Sequence, residues 1–211
     1  MPHDPAADPH LVADDAALSA LYGHPGITSL AKEVDHVHPH YRAMIEASPF
    51  AVLATVGAGG LDASPRGDPP GFVAVEDAKT LLMPDRRGNN RIDSLRNIVA
   101  DPRVALLFLI PGVGETLRVN GRATLTTDPA LLERFVMDGK RPVCVIRIAV
   151  DTVFFQCARA IKRSALWDPA RHVERASLPS PGTILAAFSR GEVDGVQYDG
   201  ELQARQAATL Y

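Results

Sequence analysis

The sequence predicts a mainly β, α+β domain with antiparallel strands, and three observations carry that prediction. Between Phe50 and Cys157 the chain reads as six or seven alternating or apolar strands. Only short helical stretches lie between them, which argues against βαβ winding. Turn signals at Ala58–Gly60 and Asp77–Lys79 join neighbouring strands directly. An antiparallel barrel or sandwich satisfies all three.

The elements follow in order. Residues 1–15 are rich in Pro, Asp and Ala and predict a flexible segment. "DDAALSALYG" predicts a short helix, acidic at its start and closed by Gly23. In "HYRAMIEAS", Tyr41, Met44 and Ile45 share one helical face. "FAVLATVG" and "LDASPRG" form a hairpin, and "GFVAVE" and "TLLMP" flank the next turn. "NNRIDSLRNIVAD" predicts a helix capped by Asn90, with Asp93 in a capping-box position and Ile92, Leu95 and Val99 as its apolar stripe.

"RVALLFLIP" predicts a buried strand. "ETLRVNGRATLTT" alternates, with Thr116, Arg118 and Asn120 on one side and Leu117 and Val119 on the other. "DPALLERFVM" is a helix capped by Asp128, and "CVIRIAVDTVFFQC" supplies one or two further strands. After Trp167 come a linker-like "RHVERASLPSPG", a short helix in "TILAAFSRG" and a polar stretch ending in Leu210–Tyr211. The predicted boundaries are a flexible segment over 1–15, a barrel domain with its N-terminal helices over 16–170, and an arm over 171–211 packing on the barrel or on a second subunit.

At 211 residues, with 46% hydrophobic and 22% charged residues, the chain suits one globular domain with extensions. A formal net charge of −3 argues against nucleic-acid binding. No apolar run approaches the ~20 residues that span a bilayer, and the N-terminus lacks a signal-peptide pattern. A cytoplasmic protein is expected. Cys144 and Cys157 lack CxxC spacing, so reduced, buried thiols are expected.

Against that acidic background, "PDRRGNNRIDSLRN" (Pro84–Asn97) concentrates four arginines and three asparagines at one chain reversal. One reading is a solvated loop in which the asparagines cap and turn. The other is a phosphate cradle, in which N–H groups of the turn entering the helix face an anion and Arg91 forks onto its oxygens. Arg66, held between Pro65 and a Gly67–Pro70 turn, suits either a phosphate or an ion pair. Thr116 and Arg118 share a strand face that suits solvent or a polar ring edge. Trp167, beside Arg163 and Ser164, suits a core or a cap on a planar ligand. "HVHPH" places His36, His38 and His40 close together, but Pro39 interrupts regular structure and no metal site is expected. Nucleophile and Walker motifs are absent from the sequence.

Four ordered motifs, "SPFAVLATVGAGGLDASPRGDPPGFVAV", "LLMPDRRGNNRIDSLRNI", "FLIPGVGETLRVNGRA" and "FFQCARAIKRSALWDP", resemble the split-barrel flavoproteins related to pyridoxamine phosphate oxidase. They are most similar to a subgroup of FMN-dependent enzymes in that family, over most of the chain. The resemblance implies a six-stranded antiparallel split β-barrel, a homodimer and FMN at the subunit interface. It implies phosphate binding by Arg66, Asn89, Asn90 and Arg91, with Asn90 standing where the oxidase family has a basic residue. It places Met83, Pro84 and Asp85 along the flavin edge and Thr116 and Arg118 at its pyrimidine end. Arg163, Ser164 and Trp167 would come from the second subunit. The oxidase's substrate-binding Arg–His pattern is not evident.

The function implied is an FMN-dependent oxidoreductase acting on a small organic substrate, with no side-chain nucleophile. A non-catalytic flavin- or haem-binding module and a deazaflavin-dependent reductase are the alternatives on the same barrel.

Overall fold

The structure, a computed structural model, describes residues 10–211. Of the predicted flexible segment over 1–15, the first nine residues lie outside the described ones. The chain divides into two compact units, Met1–Glu33 and Val34–Tyr211.

In the first unit, α1 (Asp15–Tyr22) begins where the Asp14 side chain accepts from the Ala17 N–H. It ends at Gly23, whose φ of 67° suits a residue without a Cβ. A single turn, α2 (Ile27–Leu30), follows.

The second unit is built on seven antiparallel strands: β1 (Phe50–Gly57), β2 (Gly60–Gly67), β3 (Ala74–Asp77), β4 (Thr80–Asp85), β5 (Arg103–Leu109), β6 (Thr116–Thr126) and β7 (Cys144–Gln156). Their order is β2-β1-β5-β6-β7-β4-β3. The mixed α+β class and split-barrel fold hold. The strand count is one above the six that the resemblance implies, because the four-residue β3 pairs along the edge of β4. The last β segment is one thirteen-residue strand. It reaches across the sheet to pair β6 along its length and β4 through Cys144–Ala149.

Alternation sets the core. Residues paired directly across antiparallel strands share a face, so Leu53, Leu106, Val119 and Val153 form one fully or almost fully buried row. Leu117 and Val119 point inward as the period of two requires, and Thr116, Arg118 and Asn120 lie on the other, half-buried side. Helix α3 (Pro39–Ala47) starts with proline in its first turn and buries Ile45. Helix α5 (Pro129–Arg134) is capped by Asp128, which accepts from the Ala130 N–H. Past β7 come α6 (Arg159–Ser164), α7 (Pro181–Phe188) and α8 (Gly195–Ala208).

Helix α4 (Asp93–Ala100) corrects two expectations. It starts three residues after Asn90, whose left-handed φ of 59° cannot initiate a right-handed helix. Its buried residues are Ser94 and Ile98, while Ile92 and Val99 are exposed. Leu95 packs partly buried against the core, and polar Ser94 is turned in toward β2, where its hydroxyl meets Asp62.

Candidate functional site

On β2, the residues that share the inner face are Asp62, Ser64 and Arg66. This polar row lies on β2, the edge strand next to β1. Helix α4 packs over one end of the row, where the Ser94 hydroxyl donates to Asp62 at 2.7 Å and the Asn97 amide donates to Thr55 at 3.0 Å. At the other end a cavity of about 590 Å³ remains. Its walls are Ser64–Gly67, the end of β4, the loop Arg86–Ile92, and the apolar side chains of Phe72, Leu95 and Val143.

Arg66 and Asp85 join the two ends of the curled sheet. Arg66 Nη1 donates to Asp85 Oδ1 at 2.7 Å, and the two side chains are only 20% and 13% exposed. Arg66 Nε is buried without a hydrogen-bond partner among the described residues. A buried guanidinium N–H left unpaired is costly. Burial pushes the Asp85 carboxyl above its ordinary value, opposed by the charge and hydrogen bond of Arg66. The pair thus leaves one donor unsatisfied and one carboxylate poorly solvated.

The loop after β4 is organised by its own side chains. The Asn89 Oδ1 accepts from the Arg91 N–H at 3.0 Å, an Asx turn that accompanies the left-handed Asn90. Arg91 is exposed and pairs with Asp93 at 2.6 Å, which raises its pKa. Arg86 is held more deeply. Its Nε donates to Asp68, whose side chain is 1% exposed, at 2.7 Å, and its Nη1 donates to the Phe135 carbonyl. The Tyr211 hydroxyl donates to the other oxygen of Asp68 at 2.6 Å, and the Arg86 guanidinium lies 5.6 Å from the Tyr211 ring centroid. Lys140 Nζ donates to the Tyr211 carbonyl at 2.6 Å.

Of the twelve site residues expected from the sequence, Arg66, Pro84, Asp85, Asn89, Asn90 and Arg91 line this one cavity. Met83 does not, because its alternate position on β4 sends it wholly into the core. Thr116, Arg118, Arg163, Ser164 and Trp167 are not among the lining residues. Thr116 meets Gln156 at 3.4 Å, and Arg118 stacks 5.3 Å over Phe154. The Ser164 hydroxyl donates to the Ile161 carbonyl, and Trp167 Nε1 donates to the Val113 carbonyl at 2.8 Å. The sequence reading missed Arg86, Arg87, Phe72 and Val143; the double arginine before Gly88 was the available signal.

The histidines are engaged locally. His36 pairs with Asp35 at 3.0 Å, His38 Nδ1 accepts from the His40 N–H, and the His38 and His40 rings lie 4.8 Å apart. Among the described residues no group of three His, Cys, Asp or Glu is arranged to hold a metal ion. No helix there is long and apolar enough to cross a membrane.

Cys144, opposite Asp85 in the β4–β7 pairing, is buried. That burial, reinforced by the Asp85 carboxylate, pushes its thiol up to about 11. Cys157 is exposed, against the expectation of two buried thiols. Iodoacetamide at neutral pH should therefore label one cysteine, Cys157, in the native protein and both in guanidinium. Intact mass and peptide mapping check this; early labelling of Cys144 would show that β7 opens at this end.

The pyridoxamine 5'-phosphate oxidase family model matches residues 37–157, more than half of the chain. No curated protein shows a significant match. Among solved structures, the chain is similar to HupZ from Group A Streptococcus, with 21% identity over 57% of this chain and 94% of that one and a TM-score of 0.47. It is also similar to general stress protein 26 from Bacillus anthracis, at 20% identity over 54% and 88% with a TM-score of 0.40. A Clostridium acetobutylicum protein related to general stress protein 26 matches at 13% identity over 56% and 86%, with a TM-score of 0.43.

Proposed function

Because the chain belongs to the pyridoxamine 5'-phosphate oxidase family, we propose that it is an FMN-dependent oxidoreductase acting on a small organic substrate. The observation that carries this reading is the orphaned Arg66 Nε at a cavity bordered by the Gly88–Arg91 loop. A buried N–H donor beside exposed loop amides fits a phosphate ester, which offers several acceptor oxygens. The residues present fit the group.

Arg66 and the Asn89–Arg91 loop would hold the phosphate. Phe72, Leu95 and Val143 add apolar wall to that part of the cavity. Bound FMN supplies two-electron redox chemistry. The chain's own contribution is binding, orientation and the electrostatics set by its arginines.

Thr116, Arg118, Arg163, Ser164 and Trp167 enter this proposal through a second copy of the chain. The half-buried outer side of β6, bearing Thr116 and Arg118, motivates a homodimer in which each copy completes the other's site.

The test is the visible spectrum and solution mass of the purified protein. A flavin spectrum, one flavin per chain in a particle of twice the chain mass, and bleaching on photoreduction with recovery in air are expected. A haem Soret band, or flavin that does not cycle, would overturn the oxidoreductase reading. A deazaflavin absorption maximum would replace the cofactor.

A further inference from the structure

Helices α7 and α8 of the arm hold on to each other. The Asp199 carboxylate on α8 accepts from the Ser180 hydroxyl and from the Gly182 N–H at the start of α7. Gly182 and Gly195 approach so closely that a Cβ on either would collide with the other's carbonyl oxygen. The hairpin buries little else. Among the described residues 171–211 only Gly182 is buried, and Ile184, Phe188 and Val196 are exposed. Core packing therefore contributes little to holding the arm on the barrel.

Tyr211, just beyond α8, makes the attachment. Its hydroxyl donates to Asp68 Oδ1 at 2.6 Å, and its carbonyl accepts from Lys140 Nζ at 2.6 Å. The Asp68 side chain is buried, and its other oxygen accepts from Arg86 Nε at 2.7 Å. A carboxylate this deep needs a donor on each oxygen. Tyr211 and Arg86 supply one each, and the Tyr211 ring lies against the guanidinium.

Arg86 opens the loop Arg86–Ile92 that walls the cavity. The hydrogen bonds of Asn89 and Arg91 stay within or next to that loop. Arg86 instead reaches Asp68 after β2 and the Phe135 carbonyl after α5. It is the post that fixes the loop to the barrel, and Tyr211 steadies the post.

Resting on the FMN reading above, we propose that Tyr211 is a clasp through which the arm controls the cavity. Docked, it completes the donor shell of Asp68, immobilises Arg86 and keeps the Arg86–Ile92 wall in place around a ligand. Released, it leaves Asp68 with one donor, the wall loosens and the ligand departs faster. Tyr211 acts through Arg86 and is a positioning residue. Whatever draws the arm off the barrel regulates retention of the cofactor.

The test uses the full chain as wild type, Tyr211→Phe, Tyr211→Ala, Arg86→Gln, and Arg86→Gln combined with Tyr211→Phe. Hydrogen–deuterium exchange of the ligand-free proteins is followed peptide by peptide. Tyr211→Phe keeps the ring and removes the hydroxyl, so exchange in α8 and over 86–92 should rise together, about tenfold, and further in Tyr211→Ala. The core strands β5 and β6 should keep the wild-type rate. A rise confined to α8, or one spread equally over β5 and β6, would overturn the coupling. The second readout is the rate at which bound FMN dissociates. Tyr211→Phe should raise it about tenfold in the wild type and add nothing in Arg86→Gln. Equal acceleration in both backgrounds would break the route through Arg86. A wild type that binds no FMN ends the flavin reading alone, and exchange then decides the clasp.

Discussion

Arg66→Ala combined with Arg91→Ala should give a protein that purifies colourless and retains less than about one hundredth of the wild-type FMN affinity. Two charge-assisted contacts, each worth roughly 1.5–3 kcal/mol, would be lost together. The two changes act differently on the fold. Arg91 is 80% exposed, and its solvent-screened bridge to Asp93 adds little to stability. Arg66 is the partner of a largely buried Asp85, and its removal should lower stability by about 1–3 kcal/mol, limited by Asp85 taking up a proton. Far-ultraviolet circular dichroism should stay native, so loss of flavin reports on the cavity and not on unfolding. A yellow double variant with unchanged affinity would remove both residues from the phosphate site.

Asp85→Asn should have the opposite effect and tighten FMN binding about tenfold at pH 8, on the order of 1.4 kcal/mol. Asparagine keeps an acceptor for Arg66 Nη1 but removes the negative charge that competes with a phosphate for the same guanidinium. The pH dependence follows from the raised Asp85 pKa. A carboxyl whose folded pKa lies above its unfolded value of 3.8 contributes stability that is fully present below 3.8 and lost as pH rises through the folded value. The same proton uptake should favour the bound anion as pH falls, until the phosphate itself, with a second pKa of about 6, gains a proton. In Asp85→Asn both dependences should flatten. Chemical denaturation and flavin fluorescence over a pH series read them separately. Weaker binding in Asp85→Asn would mean that Asp85 holds Arg66 in place for the ligand and does not compete with it.

Several of these features were legible in the chain itself. The strands of the barrel follow from a period of two, and Leu117 and Val119 face inward accordingly. The Gly23 and Asp128 caps are local chemistry and stand where the residues place them. The start of α4 was not legible, because the same asparagines that cap helices also build Asx turns, and the turn won. Nor was the choice between Met83 and its neighbours, since a strand's period leaves open which face meets the core.

Residue types and spacing alone determined an antiparallel barrel or sandwich and a cluster of arginines beside a glycine turn. Only the tertiary structure decided which carboxylates those arginines meet. Arg66 meets Asp85 across 19 positions, and Tyr211 reaches Asp68 across 143. Such pairings depend on how the sheet curls and which strand ends it brings together. Charge is written residue by residue, but neutralisation is a property of distance in space.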